Sequence, residues 1–280
     1  MESRTVRLAI RVGTGLVLAF LYIPLLIVVI YSFNNSVSQT WPITSFTTRY
    51  YSFAWHDPDV RTALATSLTV ALFATLLAFF LGSLAAFAVH RFQFFGRNTV
   101  SFVLVLPIAL PGILTGIALN TTFNNSVRPI PFGVLTIILG HTTFCIVVVY
   151  NNVLARLRRT GSSQVEASMD LGADGWQTFR YITWPVIRTA VIAGMLLAFA
   201  LSFDEIVVTN FTSGTELTIP KFIYNNLRQP RNRPVVNVVA VVVLLVMTIP
   251  VYIAQRLAGA EAGTAAGRRA TLRGDTEPGL

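Results

Sequence analysis

Residues 62–89 read TALATSLTVALFATLLAFFLGSLAAFAV, twenty-eight positions in a row without a charge. Crossing a hydrocarbon layer of about 30 Å takes about 20 residues of helix, so this stretch can span a membrane with residues to spare. On either side of it, further charge-free stretches run over Leu16–Phe33, Thr99–Leu119, Pro131–Leu154 and Val235–Ala254. A sixth, Thr189–Phe203, reaches span length only by continuing through Asp204 and Glu205 to Val208. Six spans is the economical count, and the fold class is an all-α polytopic membrane protein.

Composition agrees. Of 280 residues, 54% are hydrophobic and only 12% charged. A soluble protein carries about a quarter of its residues as charges. Leu16–Phe33 is long and lacks an A-x-A-like exit, so it reads as a retained anchor and not a signal peptide. Cys145 is the only cysteine and falls inside the fourth span, which excludes a disulfide framework or a Cys-based metal site.

The net charge of +9 is mostly an orientation signal. With the N-terminus in the cytoplasm, the inner segments hold fourteen basic residues, among them Arg91, Arg97, Arg156, Arg158 and Arg159. The outer ones hold seven: Arg49, Arg61, Arg128, Lys221, Arg228, Arg231 and Arg233. That bias obeys the positive-inside rule with both termini inside. No basic run forms a groove-sized patch for nucleic acid. The expected organisation is an N-terminal segment, first span and external loop over 1–60, and a core of five spans over 61–256. A cytoplasmic tail over 257–280, rich in Gly, Ala and Thr, is expected to be disordered.

The loop from Ala155 to Trp184 is the longest on the inner side. Ser163-Gln-Val-Glu166 fits a capping box, and Gly172 falls where a helix would end in a left-handed residue. Asp174-Gly-Trp-Gln177 offers a second helix start, and Pro185 marks the turn into the next span. Two short helices around a glycine elbow follow. Without further information they could simply be a re-entry device lying on the membrane surface.

These residues carry a resemblance. Glu166-Ala167-Ser168, three residues, Gly172, nine residues and Ile182-Thr183-Trp184-Pro185 resemble the EAA loop of ABC-importer permeases, E-A-A, three residues, G, nine residues, I-x-L-P. Ser168 and Trp184 replace an alanine and a leucine and keep the spacing. The resemblance extends over roughly 60–256. Leu106-Pro-Ile-Ala-Leu-Pro111-Gly112, the His141–Ile146 stretch and Ser202-Phe-Asp204-Glu205 are similar to segments of the spermidine/putrescine-type permeases. It implies a MetI-like permease fold. It also implies that the loop, through Glu166, Ala167, Ser168, Asp170, Gly172 and Ala173, forms a coupling helix docking on an ATP-hydrolysing subunit.

The implied partners are a second permease subunit, an ABC ATPase dimer and an extracytoplasmic substrate-binding protein. No cofactor is expected in this chain, with ATP and Mg held by the ATPase. A P-loop needs Gly-Lys-Ser/Thr, and the only lysine, Lys221, stands between Pro220 and Phe222. The implied function is ATP-driven import of putrescine or spermidine across a bacterial cytoplasmic membrane. Alternatives are a permease for another small solute or a secondary transporter, for which inverted repeats are not evident. An intramembrane serine protease would need a Ser–His pair across two spans, and no G-x-S-x-G elbow occurs.

Ionisable residues at membrane depth are functional by default. Asp204 and Glu205 could replace part of the hydration shell of an ammonium group, or could lie outside the membrane and pair with Arg228 or Arg231. Pro107 and Pro111 should kink the third span, as a gate or merely for packing. His141 could serve a proton relay or a structural hydrogen bond. Asn151 and Asn152 read as glue between helices. The aromatic loop Asn34–Asp59 suits an interfacial belt or the delivering protein.

Overall fold

A computed structural model describes residues 4–126, 128–161 and 163–274. Twelve α-helices are named along the described chain: α1 (Arg4–Ser32), α2 (Arg49–His56), α3 (Pro58–Arg91), α4 (Arg97–Ala109), α5 (Gly112–Asn125), α6 (Val134–Arg159), α7 (Ser163–Asp170), α8 (Gly175–Thr178), α9 (Trp184–Asp204), α10 (Val207–Thr212), α11 (Ile219–Leu227) and α12 (Arg233–Gly274). Five helical segments are long and apolar enough to cross a membrane: α1, α3, α6, the run from Gly175 to Asp204, and α12 over Arg233–Leu257. The pair α4 and α5 makes a sixth only as a span bent by 105°. The expected count of six therefore holds when the third span is counted as broken.

The chain divides into two units. The first comprises Met1–Thr62 and Phe222–Val246. In it α1 is exposed along its whole length except its C-terminal turn, Ser32 being its one buried residue. The Ser32 hydroxyl lies 2.9 Å from that of Tyr51, and Asn237 donates to Gln39 (2.9 Å). Where the sequence suggested only an external loop, α2 forms. Its Arg49 lies over the rings of Tyr50 and Phe53, while Trp41 and Trp55 stay exposed.

The second unit comprises Ala63–Lys221 and Met247–Leu280. Its core joins α3, α6 and α9 around Tyr150, Val149, Val153, Ile187 and Val191. From Ala63 on, α3 turns its small residues inward: Ala63, Ser67, Ala71, Ala74, Ala78, Gly82 and Ala86 are buried. Leu68, Leu72, Phe73 and Phe80 of the same helix face outward. Between lipid-bathed helices there is no hydrophobic gain in hiding a leucine, so backbones that approach closely over small residues win. A Cβ on Gly82 would lie 2.9 Å from the carbonyl oxygen of Ile146, and one on Gly194 of α9 would lie 3.2 Å from Cβ of Asn152. Cys145 donates from Sγ to Ala198 O (3.4 Å) across the same seam.

The backbone of α12 continues as helix to Gly274, past residue 257 where disorder was expected. The alanines of this stretch have the highest intrinsic helix propensity of any residue. Residues 275–280 of the expected tail lie outside the described residues.

Candidate functional site

The elbow between α6 and α9 is built locally. α7 begins at Ser163, one residue inside its expected capping place, and the cap position lies outside the described residues. At the other end Ala173 N–H donates to Ser168 O (3.0 Å) and Gly172 N–H to Met169 O (2.9 Å). This pair is a Schellman motif, which needs a left-handed residue at Gly172, and its φ is +85°. The chain restarts at Asp174: its carboxylate accepts from Gln177 N–H (2.7 Å), and the Gln177 side-chain oxygen accepts from Asp174 N–H (3.0 Å). The elbow glycine and the second helix start stand where the sequence placed them.

The route into the span differs from expectation. α8 does not stop before α9 but passes into it through a π turn, Phe179–Thr183. Pro185 has no N–H to give to Tyr181 O, and its ring would strike that carbonyl in a regular α-turn. Trp184 N–H reaches instead to Phe179 O, five residues back, and the widened turn absorbs the proline. Elbow and span are thus one continuous rod from Gly175 to Asp204.

Side chains tie the elbow to the bundle. The Ser168 hydroxyl donates to Val165 O (2.8 Å) and lies 3.0 Å from the Thr178 hydroxyl, joining α7 to α8. Phe179 packs on Trp176 and Phe87, each at 5.8 Å between centroids. Glu166, Ala167, Asp170 and Gly172 are exposed and Ala173 is half-buried. Leu171 is 90% exposed and Trp176 67%. A cleft of about 600 Å³ behind them is lined by Phe87, His90, Leu157, Glu166, Met169 and Phe179, among others.

A second locus is formed by two helix breaks. The residue before a proline is pushed out of the helical region. Leu110 is accordingly extended (φ −82°, ψ 145°), and α5 restarts after Pro111. Pro107 lies inside α4, and the 105° bend between α4 and α5 falls at the Leu110–Pro111 break. The other break follows α9. Glu205 is extended (ψ 114°), and its Oε1 accepts from Val208 N–H (3.0 Å) in the first turn of α10. The acidic pair therefore divides. Glu205 is half-buried with one oxygen committed to capping, whereas Asp204 is exposed and its carboxylate has no hydrogen-bond donor among the described residues of this unit.

The two breaks meet. Gly112 faces Val207, Gly116 lies under the ring of Phe211, and Asn120 Nδ2 donates to Phe211 O (2.7 Å). Thr136 donates to Thr212 O (2.7 Å), which fixes α10 to α6. His141, 1% exposed, bonds from Nδ1 to the Ser202 hydroxyl and from Nε2 to that of Thr209, each at 2.9 Å. This is the structural alternative of the two open for that histidine. Asn152 donates to Val148 O in its own helix, so its amide is not the glue between helices that its sequence suggested. Lys221 gives its three donors to Ser213 Oγ, Gly214 O and Glu216 O, closing its own loop. Burial lowers its pKa from the ordinary value, a shift that Glu216 opposes.

Residues 78–260 match the family described as binding-protein-dependent transport system inner membrane component. The chain belongs to this family. It is accordingly a multi-pass membrane protein and the permease subunit of an ABC importer, not an enzyme. Among curated relatives, the putrescine transport system permease protein PotI of Escherichia coli (strain K12) is 38% identical over 84% of this chain and 85% of its own length. The spermidine/putrescine transport system permease protein PotC of the same organism is 35% identical over 85% and 89%. A solved bacterial alginate ABC transporter, in complex with an alginate pentasaccharide-bound periplasmic protein, superposes with a TM-score of 0.71 at 16% identity, covering 90% of this chain and 93% of that one. The MetNI methionine ABC transporter in an inward-facing form gives 0.55 at 16%, covering 75% and 95%. The permease thus has the MetI-like fold that the sequence implied. What the sequence did not reveal is the π turn, the capping role of Glu205, and the contact between the two breaks. Pro185, the second residue of α9, was the one legible sign of the π turn.

Proposed function

We propose that this permease imports a small polyamine of the putrescine or spermidine class. The observation that supports this most is the 38% identity, over most of both chains, to a protein named as a putrescine permease. The site chemistry fits: Asp204 offers an uncommitted carboxylate beside two broken helices, where freed backbone carbonyls can also bind an ammonium group. In this reading a second permease completes the path, an extracytoplasmic binding protein delivers the cargo, and both termini lie in the cytoplasm. ATP and Mg²⁺ are held by an ABC ATPase dimer. The surface formed by Glu166, Ala167, Ser168, Asp170, Gly172 and Ala173 docks on that dimer, and the continuous rod from Gly175 to Asp204 carries its movement toward the acidic residue. Pro111, at the break, and Pro107, inside α4, belong to the gate.

Uptake of labelled putrescine and spermidine, in cells with and without the gene, tests the cargo. Loss of saturable uptake with the gene supports the reading, and unchanged uptake of both sinks it. Co-purification in mild detergent tests the assembly: a tagged chain that brings down no nucleotide-binding subunit would overturn the docking role.

A further inference from the structure

His141 does more than fill space in α6. Its two ring nitrogens reach both sides of the break that carries the acidic pair, Ser202 in the last turn of α9 and Thr209 in α10. All three side chains are buried, at 1%, 2% and 0% exposure. The Thr209 hydroxyl spends its proton on Glu205 O (2.7 Å), so it can only accept from the imidazole. That assigns the hydrogen to Nε2 and leaves Nδ1 to accept from Ser202. The two imidazole bonds hold the segment 203–208 at both ends, while the Glu205 carboxylate capping Val208 and the Thr209 hydroxyl on Glu205 O brace it from within.

We propose that His141 is a positioning residue for Asp204: a strut across the break that sets the direction of a carboxylate it does not touch. The inference rests on the polyamine reading above, in which Asp204 meets the cation. A residue held at one end only would swing with the broken helix. One held two residues before and five residues after cannot. The imidazole suits this task because it offers one donor and one acceptor on a rigid ring, at a depth where water cannot substitute for either.

The test is a double-mutant cycle in cells deleted for the gene and complemented with each variant, reading initial uptake of saturating labelled putrescine at equal membrane abundance. His141→Phe keeps a ring and removes both bonds. It should lower uptake about tenfold, an effect the size of one or two interhelical hydrogen bonds. His141→Gln, whose amide can replace the Nε2 donor, should recover uptake to within about threefold of wild type. Asp204→Glu displaces the carboxylate by one methylene and should lower uptake severalfold. Adding His141→Phe to it should cost less than about twofold more, because the precision that the strut supplies is already lost. Ser202→Ala should reproduce part of the His141→Phe loss.

Four outcomes overturn the inference: wild-type uptake by His141→Phe, no recovery by His141→Gln, the same tenfold loss in both Asp204 backgrounds, or an Asp204→Glu variant as active as wild type. A wild-type gene that restores neither putrescine nor spermidine uptake overturns the polyamine reading and this inference with it, and that control tells the two failures apart.

Discussion

A Cβ placed on Gly112 would lie 3.6 Å from Cγ1 of Val207. The residue that follows the Pro111 break thus rests on the residue two past the Glu205 break. One turn further on the fit tightens: a Cβ on Gly116 would lie 2.5 Å from Cδ2 of Phe211. Gly112→Ala should therefore be tolerated, with thermal stability and uptake near wild type. Gly116→Ala should cost about 1–3 kcal/mol by overpacking. Thermal unfolding in detergent reads the difference, and Phe211→Leu should restore much of the loss in the second variant.

The two acidic neighbours should separate under the same kind of substitution. Glu205→Gln keeps an oxygen that can accept from Val208 N–H, so its effect should be small, whereas Glu205→Ala loses a cap worth about 1 kcal/mol. Asp204→Asn removes a charge that caps nothing within its unit. It should leave stability unchanged and lower uptake at least about tenfold, the scale of a single charge-assisted hydrogen bond to the cargo. Comparable uptake by Asp204→Asn and wild type would remove Asp204 from the path.

At the elbow, Gly172→Ala places a Cβ at φ +85°, which costs about 1–2 kcal/mol. Gly172→Asn should cost less, because asparagine tolerates the left-handed region. Amide exchange over 163–178 should quicken in the order wild type, Asn, Ala. Nothing lies within 4 Å of a Cβ there, so any change reports backbone strain and not a clash.

Two glycine pairs test the packing rule. Gly82→Val and Gly194→Val push a branched side chain into the backbone of α6 and should abolish a folded, extractable protein, or lower its melting point by many degrees. Gly13→Val and Gly15→Val, on the exposed α1 with nothing within 4 Å, should leave monomer stability unchanged. Fluorescence size-exclusion chromatography of the four variants checks both halves.

Serine at the third place of the Glu166 motif is also open to measurement. Ser168→Ala removes the contact to Thr178 and should destabilise the elbow by about 0.5–1.5 kcal/mol, read as faster exchange in α8 with membrane insertion intact.

Some features depend on neighbours along the chain, and those can be read directly from residue order. Charge-free length sets the spans, because the bilayer rejects charge wherever it falls. Proline sets the Leu110–Pro111 break through the conformation of the preceding residue. Glycine and an Asp–Gln pair set the elbow through the geometry of one turn. Other features depend on residues far apart, and those emerge once the helices pack. The α3 sequence is apolar all round, so hydrophobicity names no inner face; close backbone approach does, and that is a property of two helices. His141 finds its partners 61 and 68 residues away, and no spacing rule reaches so far. Asp204 and Glu205 are chemically alike in sequence. A backbone N–H three residues on takes one carboxylate as a cap and leaves the other uncommitted, because the helix breaks between them.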